Sequence, residues 1–179
     1  MADSIELERT YLPKYLPKGM ENCESSEMID IYIPESAKHP TLRIRKKGSK
    51  FEITKKQPVR EGDASKQTEQ TIPLTEPEFM DFFKLKGKRV SKQRYLYTYN
   101  GRTAEIDVFK GALEGLALVD FEFDKQEELD SFKMPDFCLA DVTQEDFIAG
   151  GMLCGKSYSD IESNLSKFGY TKIPQPKQA

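Results

Sequence analysis

Polar doublets spaced two residues apart recur along this chain. The clearest are Glu6-Leu7-Glu8, Arg43-Ile44-Arg45, Thr54-Lys55-Lys56, Lys92-Gln93-Arg94, Glu105-Ile106-Asp107 and Asp120-Phe121-Glu122. On a β-strand, residues i and i+2 share one face. Each doublet therefore sets two polar groups, mostly of like charge, on one side of its strand and usually an apolar residue on the other. Carboxylates suit a divalent cation. Guanidinium and ammonium groups suit phosphate oxygens. If the strands close with their charged faces inward, both sets share one bore, and the chemistry that bore serves is metal-assisted phosphate chemistry.

The simpler account is an antiparallel sheet with one wet face. Three features weigh against it. Like charges at neighbouring same-face positions repel, so an open surface usually mixes signs, whereas a bound counter-ion relieves such pairs. The partners Ile5, Leu7, Leu42, Ile44, Ile106, Val108, Val119, Phe121 and Phe123 form an apolar set that needs covering. Eight strands also suffice to close a small barrel.

The elements that must position these residues follow from period and punctuation. Strands are predicted at about 4–12, 27–33, 41–47, 50–57, 66–74, 89–99, 103–110 and 116–123. Ile29, Ile31 and Ile33 mark one face of the second. Lys47-Gly48-Ser49 and Asn100-Gly101 read as tight hairpins, the latter because both residues accept positive φ. Thr75-Glu76-Pro77-Glu78 has the form of a capping box opening a helix to about Lys84. Further helices are predicted from Asp124 to about Phe132, around Phe147 and Ile148 with a stop at Gly150-Gly151, and over 159–169 with Ile161, Leu165 and Phe168 at helical spacing. The polar stretch 57–65 reads as a flexible loop, and 170–179 as a frayed tail. Strands first and helices mostly afterwards give an α+β protein: an eight-stranded antiparallel closed β-barrel with a polar lumen and helices outside. No repeat or linker divides residues 1–179, which read as one tunnel domain with its core at about 4–160.

Composition sets the outer limits. The 179 residues carry 27 basic and 30 acidic side chains, a net charge of −3, which argues against a general nucleic-acid binder. Cys23, Cys138 and Cys154 are odd in number and far apart, so neither a zinc site nor a disulfide framework is indicated. Reduced thiols in a cytoplasmic protein are expected, with Cys138 and Cys154 buried as small hydrophobes. No apolar run is long enough to cross a membrane, and none resembles a signal core.

In this order, the doublets resemble those of the CYTH superfamily, the triphosphate tunnel metalloenzymes, from Ile5 to about Tyr158. Glu6-Leu7-Glu8-Arg9-Thr10 is similar to the family's E-x-E-x-K strand. The R-x-R, T-x-K, K-x-R, E-x-D and E-x-E strands then follow in register. The resemblance implies a metal-dependent triphosphatase acting on inorganic tripolyphosphate or an organic triphosphate, with Mg²⁺ or Mn²⁺ as cofactor. It implies a phosphate grip of Arg43, Arg45, Lys56, Lys92 and Arg94, with Lys156 joining through a K-x-Y pattern with Tyr158. Glu6, Glu8, Asp120 and Glu122 would hold metal, with Glu105 and Asp107 as further tunnel acids. Glu69 and Lys56 would serve catalysis. A triphosphate-bearing small molecule is the implied partner, and nothing identifies a protein partner. Two other activities remain open: an adenylate cyclase, and a binding module with little turnover. The chain departs from the family pattern at Thr10, where lysine is usual, at Asp120 in place of glutamate, and in a thinned fifth strand, Lys66 to Thr71. Lys55 or Lys66 could supply the missing cation.

Gly150 to Ser157 fits the P-loop spacing GxxxxGK[ST]. A P-loop follows a buried strand and opens a long helix. Here a capped acidic segment precedes it and only 22 residues follow Ser157. The segment is expected to close one tunnel mouth instead. His39, the sole histidine, reads as a surface-turn residue.

Overall fold

The computed structural model describes residues 4–176. In chain order the elements are β1 (Ser4–Pro13), β2 (Ser25–Ile33), β3 (Leu42–Lys47), β4 (Lys50–Arg60), β5 (Asp63–Leu74), α1 (Glu76–Phe83), β6 (Lys88–Tyr99), β7 (Arg102–Phe109), β8 (Ala117–Phe123), α2 (Gln126–Ser131), β9 (Cys138–Asp141), α3 (Gly150–Leu153) and α4 (Tyr158–Ser166). The strand order is β5-β4-β3-β2-β6-β7-β8-β1-β9, and a β5–β1 pairing closes the first eight into a barrel. Every pairing is antiparallel. The eight expected barrel strands are therefore all present.

Local chemistry accounts for the turns and caps. Asn100 (φ 49°) and Gly101 (φ 77°) take the left-handed conformations that a two-residue hairpin between β6 and β7 needs. Thr75 and Glu78 form the reciprocal capping box. The Thr75 N–H donates to Glu78 Oε2 at 2.8 Å and the Glu78 N–H to Thr75 Oγ1 at 3.5 Å.

Most outward apolar residues of the strands are covered, although Ile5, expected among the covered set, is exposed, as is Ile72. Ile31 and Ile44 lie under Phe79 of α1. Leu7, Ile106, Val119, Phe121 and Phe123 pack with Leu129 of α2, Phe132 and Phe137. Phe121 is fully buried, with the Tyr11, Tyr99 and Phe132 rings around it at 4.6–6.3 Å between centroids. Burial of a phenylalanine on this scale contributes about 2–3 kcal/mol, so the outer wall stabilises the barrel while the lumen stays polar.

Several expectations are corrected. Residues 57–65 are not a loop: β4 runs on to Arg60 and β5 begins at Asp63, so the two form one long hairpin. A ninth strand, β9, pairs with the end of β1 where β5 has left it. Its four residues, Cys-Leu-Ala-Asp, carry no alternation from which to read it. The segment after Thr143 is a 3₁₀ turn at Asp146–Ile148, and Gly150-Gly151 opens α3 rather than stopping a helix. The last helix is capped by Ser157 with Asp160, two residues before the expected start, and ends at Ser166. The expected frayed tail is packed as far as it is described. Tyr170 and Ile173 are buried, and the Ile173 N–H donates to the Gly115 carbonyl at 2.9 Å. Residues 177–179 of that tail lie outside the described residues. Cys138 and Cys154 are buried, as expected, and burial pushes their thiols up to about 12 and about 11.

One end of the barrel is filled. Val90, Phe109 and Leu118 share an apolar cluster with Ile148 and Leu153. The α3 segment can sit here because its glycines have no side chain. A Cβ on Gly150 would lie 2.1 Å from Tyr32 Oη, and one on Gly151 would lie 2.2 Å from the Pro40 carbonyl oxygen and 2.7 Å from His39. His39 itself is exposed. Gly151→Ala should therefore destabilise the protein by about 1–3 kcal/mol, read as a lower urea midpoint. An unchanged midpoint would show that this plug is not seated as described.

Candidate active site

The inward residues of the eight strands line one cavity of about 580 Å³. Strand parity places them: Glu6, Glu8 and Thr10 on β1; Asp30 and Tyr32 on β2; Arg43 and Arg45 on β3; Lys56 on β4; Gln67, Glu69 and Thr71 on β5; Lys92 and Arg94 on β6; Glu105 and Asp107 on β7; Asp120 and Glu122 on β8. All twelve of the expected strand-borne site residues thus face one volume. Lys156 does not line it. It follows α3 in a turn, and its partner in the K-x-Y pattern, Tyr158, opens α4 and is buried in the apolar cluster. Lys55 and Lys66 do not line it either, because they have the opposite parity from Lys56 and Gln67.

Other lining residues escaped the doublet pattern: Asp30, Tyr32, Lys47, Lys50, Glu52 and Thr143. Asp30 lies between Ile29 and Ile31, whose alternation marks the apolar face of β2. The same alternation, taken for its other parity, points to Asp30.

The charges answer one another across strands. Arg45 donates Nε and Nη2 to the two Asp30 oxygens at 2.6 and 2.8 Å. Arg94 forks onto Asp107 at 2.7 Å through both Nε and Nη2, and also pairs with Glu105. Lys92 adds a second cation to Asp107. The Lys56 ammonium lies between two carboxylates, 2.9 Å from Glu6 and 2.7 Å from Glu8. Gln67 Nε2 donates to the other Glu8 oxygen at 2.8 Å. Glu69 accepts from Thr71 Oγ1 at 2.9 Å. Arg43 is held more loosely than Arg45 and Arg94. Its contacts to Tyr32 Oη and Glu69 are both 3.4 Å, and its buried Nε has no hydrogen-bond partner.

The pairing leaves residues of both signs. Eleven carboxylates line the cavity against seven lysine and arginine side chains, so the bore carries surplus acid. Burial alone would raise Asp30, but the Arg45 charge and hydrogen bonds outweigh it and hold that carboxyl at about 2. Asp107 is likewise kept well below the usual range, because Arg94 and Lys92 overcome its burial. Lys92 pays for that sharing: burial, with Arg94 and Arg45 nearby, lowers it despite Asp107. Lys56 moves the other way, since Glu8 and Glu6 overcome burial and raise it. Asp120 is the main surplus acid. Burial, then Asp107 and Glu8, push it up to about 7. Its nearest aids are the Thr10 hydroxyl, donating at 2.7 Å, and Arg94 at 3.7 Å. Glu122 is also raised, by burial and then by Glu105 and Glu6.

Among the described residues, no three carboxylate, imidazole or thiolate side chains are gathered as a ready metal cage. Lysine and arginine side chains stand between the acids instead. The donor set itself is all carboxylate, which suits a hard divalent cation such as Mg²⁺ or Mn²⁺, and the acid excess fits an added cation.

Comparison with known proteins agrees with this geometry. The CYTH domain family model matches residues 5–134. The inorganic triphosphatase of Nitrosomonas europaea is 30% identical over 142 residues, which span 78% of this chain and 90% of that protein. The crystal structure of an inorganic triphosphatase superposes with a TM-score of 0.62 at 24% identity, covering 84% of this chain and 95% of that one. A candidate adenylate cyclase of Bacillus halodurans shares the fold, with a TM-score of 0.53 at 18% identity over 99% of this chain and 97% of that one. No helix among the described residues is long and apolar enough to cross a membrane.

The raised Asp120 makes stability depend on pH. Between its ordinary 3.8 and about 7, the unfolded chain releases this proton while the folded protein keeps it. The folded state then binds more protons, so stability falls as pH rises through that window. The urea midpoint of the metal-free protein should drop from about pH 4 to about pH 7, and Asp120→Asn should flatten the drop. An equally steep drop in the variant would assign it to another group.

Proposed function

We propose that this chain, which belongs to the CYTH domain family, is a divalent-metal-dependent triphosphatase acting on inorganic tripolyphosphate or an organic triphosphate end. One observation carries the reading: a single enclosed bore sets carboxylates against guanidinium and ammonium groups, with carboxylates in excess. A triphosphate carries about four negative charges near neutral pH, so an acidic bore would repel it without an added cation. Glu6, Glu8, Asp120 and Glu122 are the ligands we assign to Mg²⁺ or Mn²⁺. When bound, the metal supplies Lewis-acid polarisation of phosphoryl oxygens and lowers the pKa of a bound water.

The protein's own groups do the rest. Arg43, whose Nε is unpartnered, donates from its guanidinium to phosphoryl oxygens. Lys92, the surplus cation on Asp107, together with Arg94 and Lys56, faces the charge that spreads over equatorial oxygens during transfer. Arg45 is committed to Asp30 and acts by holding the cationic wall in place. Glu69, fixed by Arg43 and Thr71, orients the attacking water and takes its proton. The bond from the terminal phosphorus to its bridging oxygen breaks, and diphosphate leaves. The relation to an inorganic triphosphatase supports hydrolysis over cyclisation.

A second reading, a binding module with little turnover, rests on Thr10 in place of the family's lysine. Phosphate release from tripolyphosphate, ATP and thiamine triphosphate with Mg²⁺ or Mn²⁺, with cyclic AMP assayed in parallel, separates the two. Tight binding without turnover of any substrate would favour the module.

The two arginines of β3 should behave differently. Arg43→Ala should keep its stability and bind tripolyphosphate with Mg²⁺ roughly tenfold to a hundredfold more weakly, the loss expected of charge-assisted bonds. Arg45→Ala should lose about 3–5 kcal/mol of stability, because it leaves Asp30 buried and unpaired. Calorimetry and urea titration test both. Undiminished affinity in Arg43→Ala would rule out the proposed grip.

A further inference from the structure

Lys56 occupies an unusual position for a group expected to hold phosphate. Its ammonium is 2.9 Å from Glu6 and 2.7 Å from Glu8, and both carboxylates belong to β1 on the acidic side of the bore. The lysine, on β4, reaches across β5 to get there: Lys56 pairs in register with Glu69, and β5 in turn pairs Gln67 with Glu6. The remaining Glu8 oxygen is held by Gln67 at 2.8 Å. Two carboxylates of like charge, one strand step apart, are thus drawn onto a single cation. Their lysine is only partly exposed, at 19% of its side chain. Two carboxylate oxygens within 3 Å of one positive centre are part of a cation-binding geometry, and the cation present is the protein's own.

Resting on the metal-dependent reading above, we propose that the Lys56 ammonium is a resident cation that keeps the Glu6–Glu8 pair in place and must leave it before a divalent ion can bind there. A Mg²⁺ ion needs oxygen ligands at about 2.0–2.1 Å in near-octahedral array, so it cannot share these oxygens with an ammonium, and the two positive charges would repel. The released lysine has an acceptor close by. Arg43 flanks Glu69, the register partner of Lys56, so phosphate on Arg43 lies next to the lysine's own strand position. Metal and triphosphate then bind with positive coupling. The metal displaces Lys56 from the acids, and the phosphate receives it. By linkage, each ligand strengthens the other by the same factor. Alone, each binds weakly, because metal must evict the lysine and triphosphate must draw it off its carboxylates. The lysine acts as a positioning residue in the metal-free state and touches substrate only in the loaded one.

The test uses Lys56→Met and Lys56→Gln in the full chain, each checked for a wild-type melting profile. Calorimetric titration with MgCl₂ alone should show binding to the variants at least fivefold tighter than to wild type, at the lower end of ordinary coupling between sites. Titration with tripolyphosphate at saturating MgCl₂ should show the opposite, a loss of at least about fivefold. A purely structural salt bridge would not produce this reversal of sign, since its removal would loosen the acids and weaken both ligands. Mg²⁺ affinity equal to or below wild type in both variants would overturn the proposal while leaving metal dependence intact. No Mg²⁺ binding by any of the three proteins, with or without tripolyphosphate, would overturn the metal-dependent reading and this proposal with it.

Discussion

Barrel closure is the constraint on which the rest of this molecule depends. Once β5 pairs with β1, each strand must give one parity to the outside and the other to the bore. Over much of the barrel the outer parity is apolar and is covered by α1, α2 and the segments around them, whereas on β4 and β5 it also carries Lys55, Lys66 and Gln70, and Ile5 and Ile72 are exposed. The inner parity is then obliged to hold nearly all the ion pairs described here at short range. A slip of one residue in any strand would bury arginine and glutamate against Phe121 or Ile44 and expose the apolar set to water. Register is specified by this penalty more than by any single turn.

Enclosure changes the meaning of the charges. On a surface, an ion pair is worth little. In the bore, Asp30 and Asp107 are nearly inaccessible, at 3% and 1% of their side chains, and each takes a forked arginine. Those pairs form a rigid frame that fixes the cationic wall. Less completely answered are Arg43, with contacts of 3.4 Å, and Asp120 and Glu122, whose carboxyls are raised by burial and by neighbouring acids.

Much of the barrel was legible because the doublets encode both the strand period and the face of each strand. Glu105-Ile106-Asp107 states, in three residues, which side chains enter the bore and which meet Val119. Legibility ended where structure depends on contacts distant in sequence. Residues 57–65 are mostly polar and lack alternation, yet 57–60 and 63–65 are strand around a turn at 61–62, because β4 and β5 pair with each other to their ends. β9 exists because β1 outruns β5 and leaves an edge to fill. Gly150-Gly151 looked like a stop, but the pair is required for close approach to Tyr32 and Pro40, which no local pattern reveals. At the site, sequence could nominate Arg43 and Arg45 as equals. Only coordinates separate the arginine bound to Asp30 from the one left with long contacts. The Lys156-Ser157-Tyr158 pattern instead leads into α4, with Lys156 outside the cavity lining and Tyr158 in the apolar cluster.

Thr10 has a consequence that follows from the same balance. In the family pattern, a lysine at this place would set an ammonium on the inner face of β1, beside the Asp120 of β8 with which position 10 pairs. Here a hydroxyl stands there and gives Asp120 a single hydrogen bond. A hydrogen bond of that kind does not neutralise a carboxylate, and the next cation, Arg94, is already forked onto Asp107 and lies 3.7 Å away. Relative to a lysine, threonine at this position leaves the bore one cation short and, on the proposed assignment of Asp120 to metal, leaves that ligand's charge uncompensated. The substitution shifts the bore toward needing an external cation. A chain with threonine at this position should lean more heavily on its metal, and on the lysine that stands in for it between Glu6 and Glu8, than one with a resident ammonium beside Asp120.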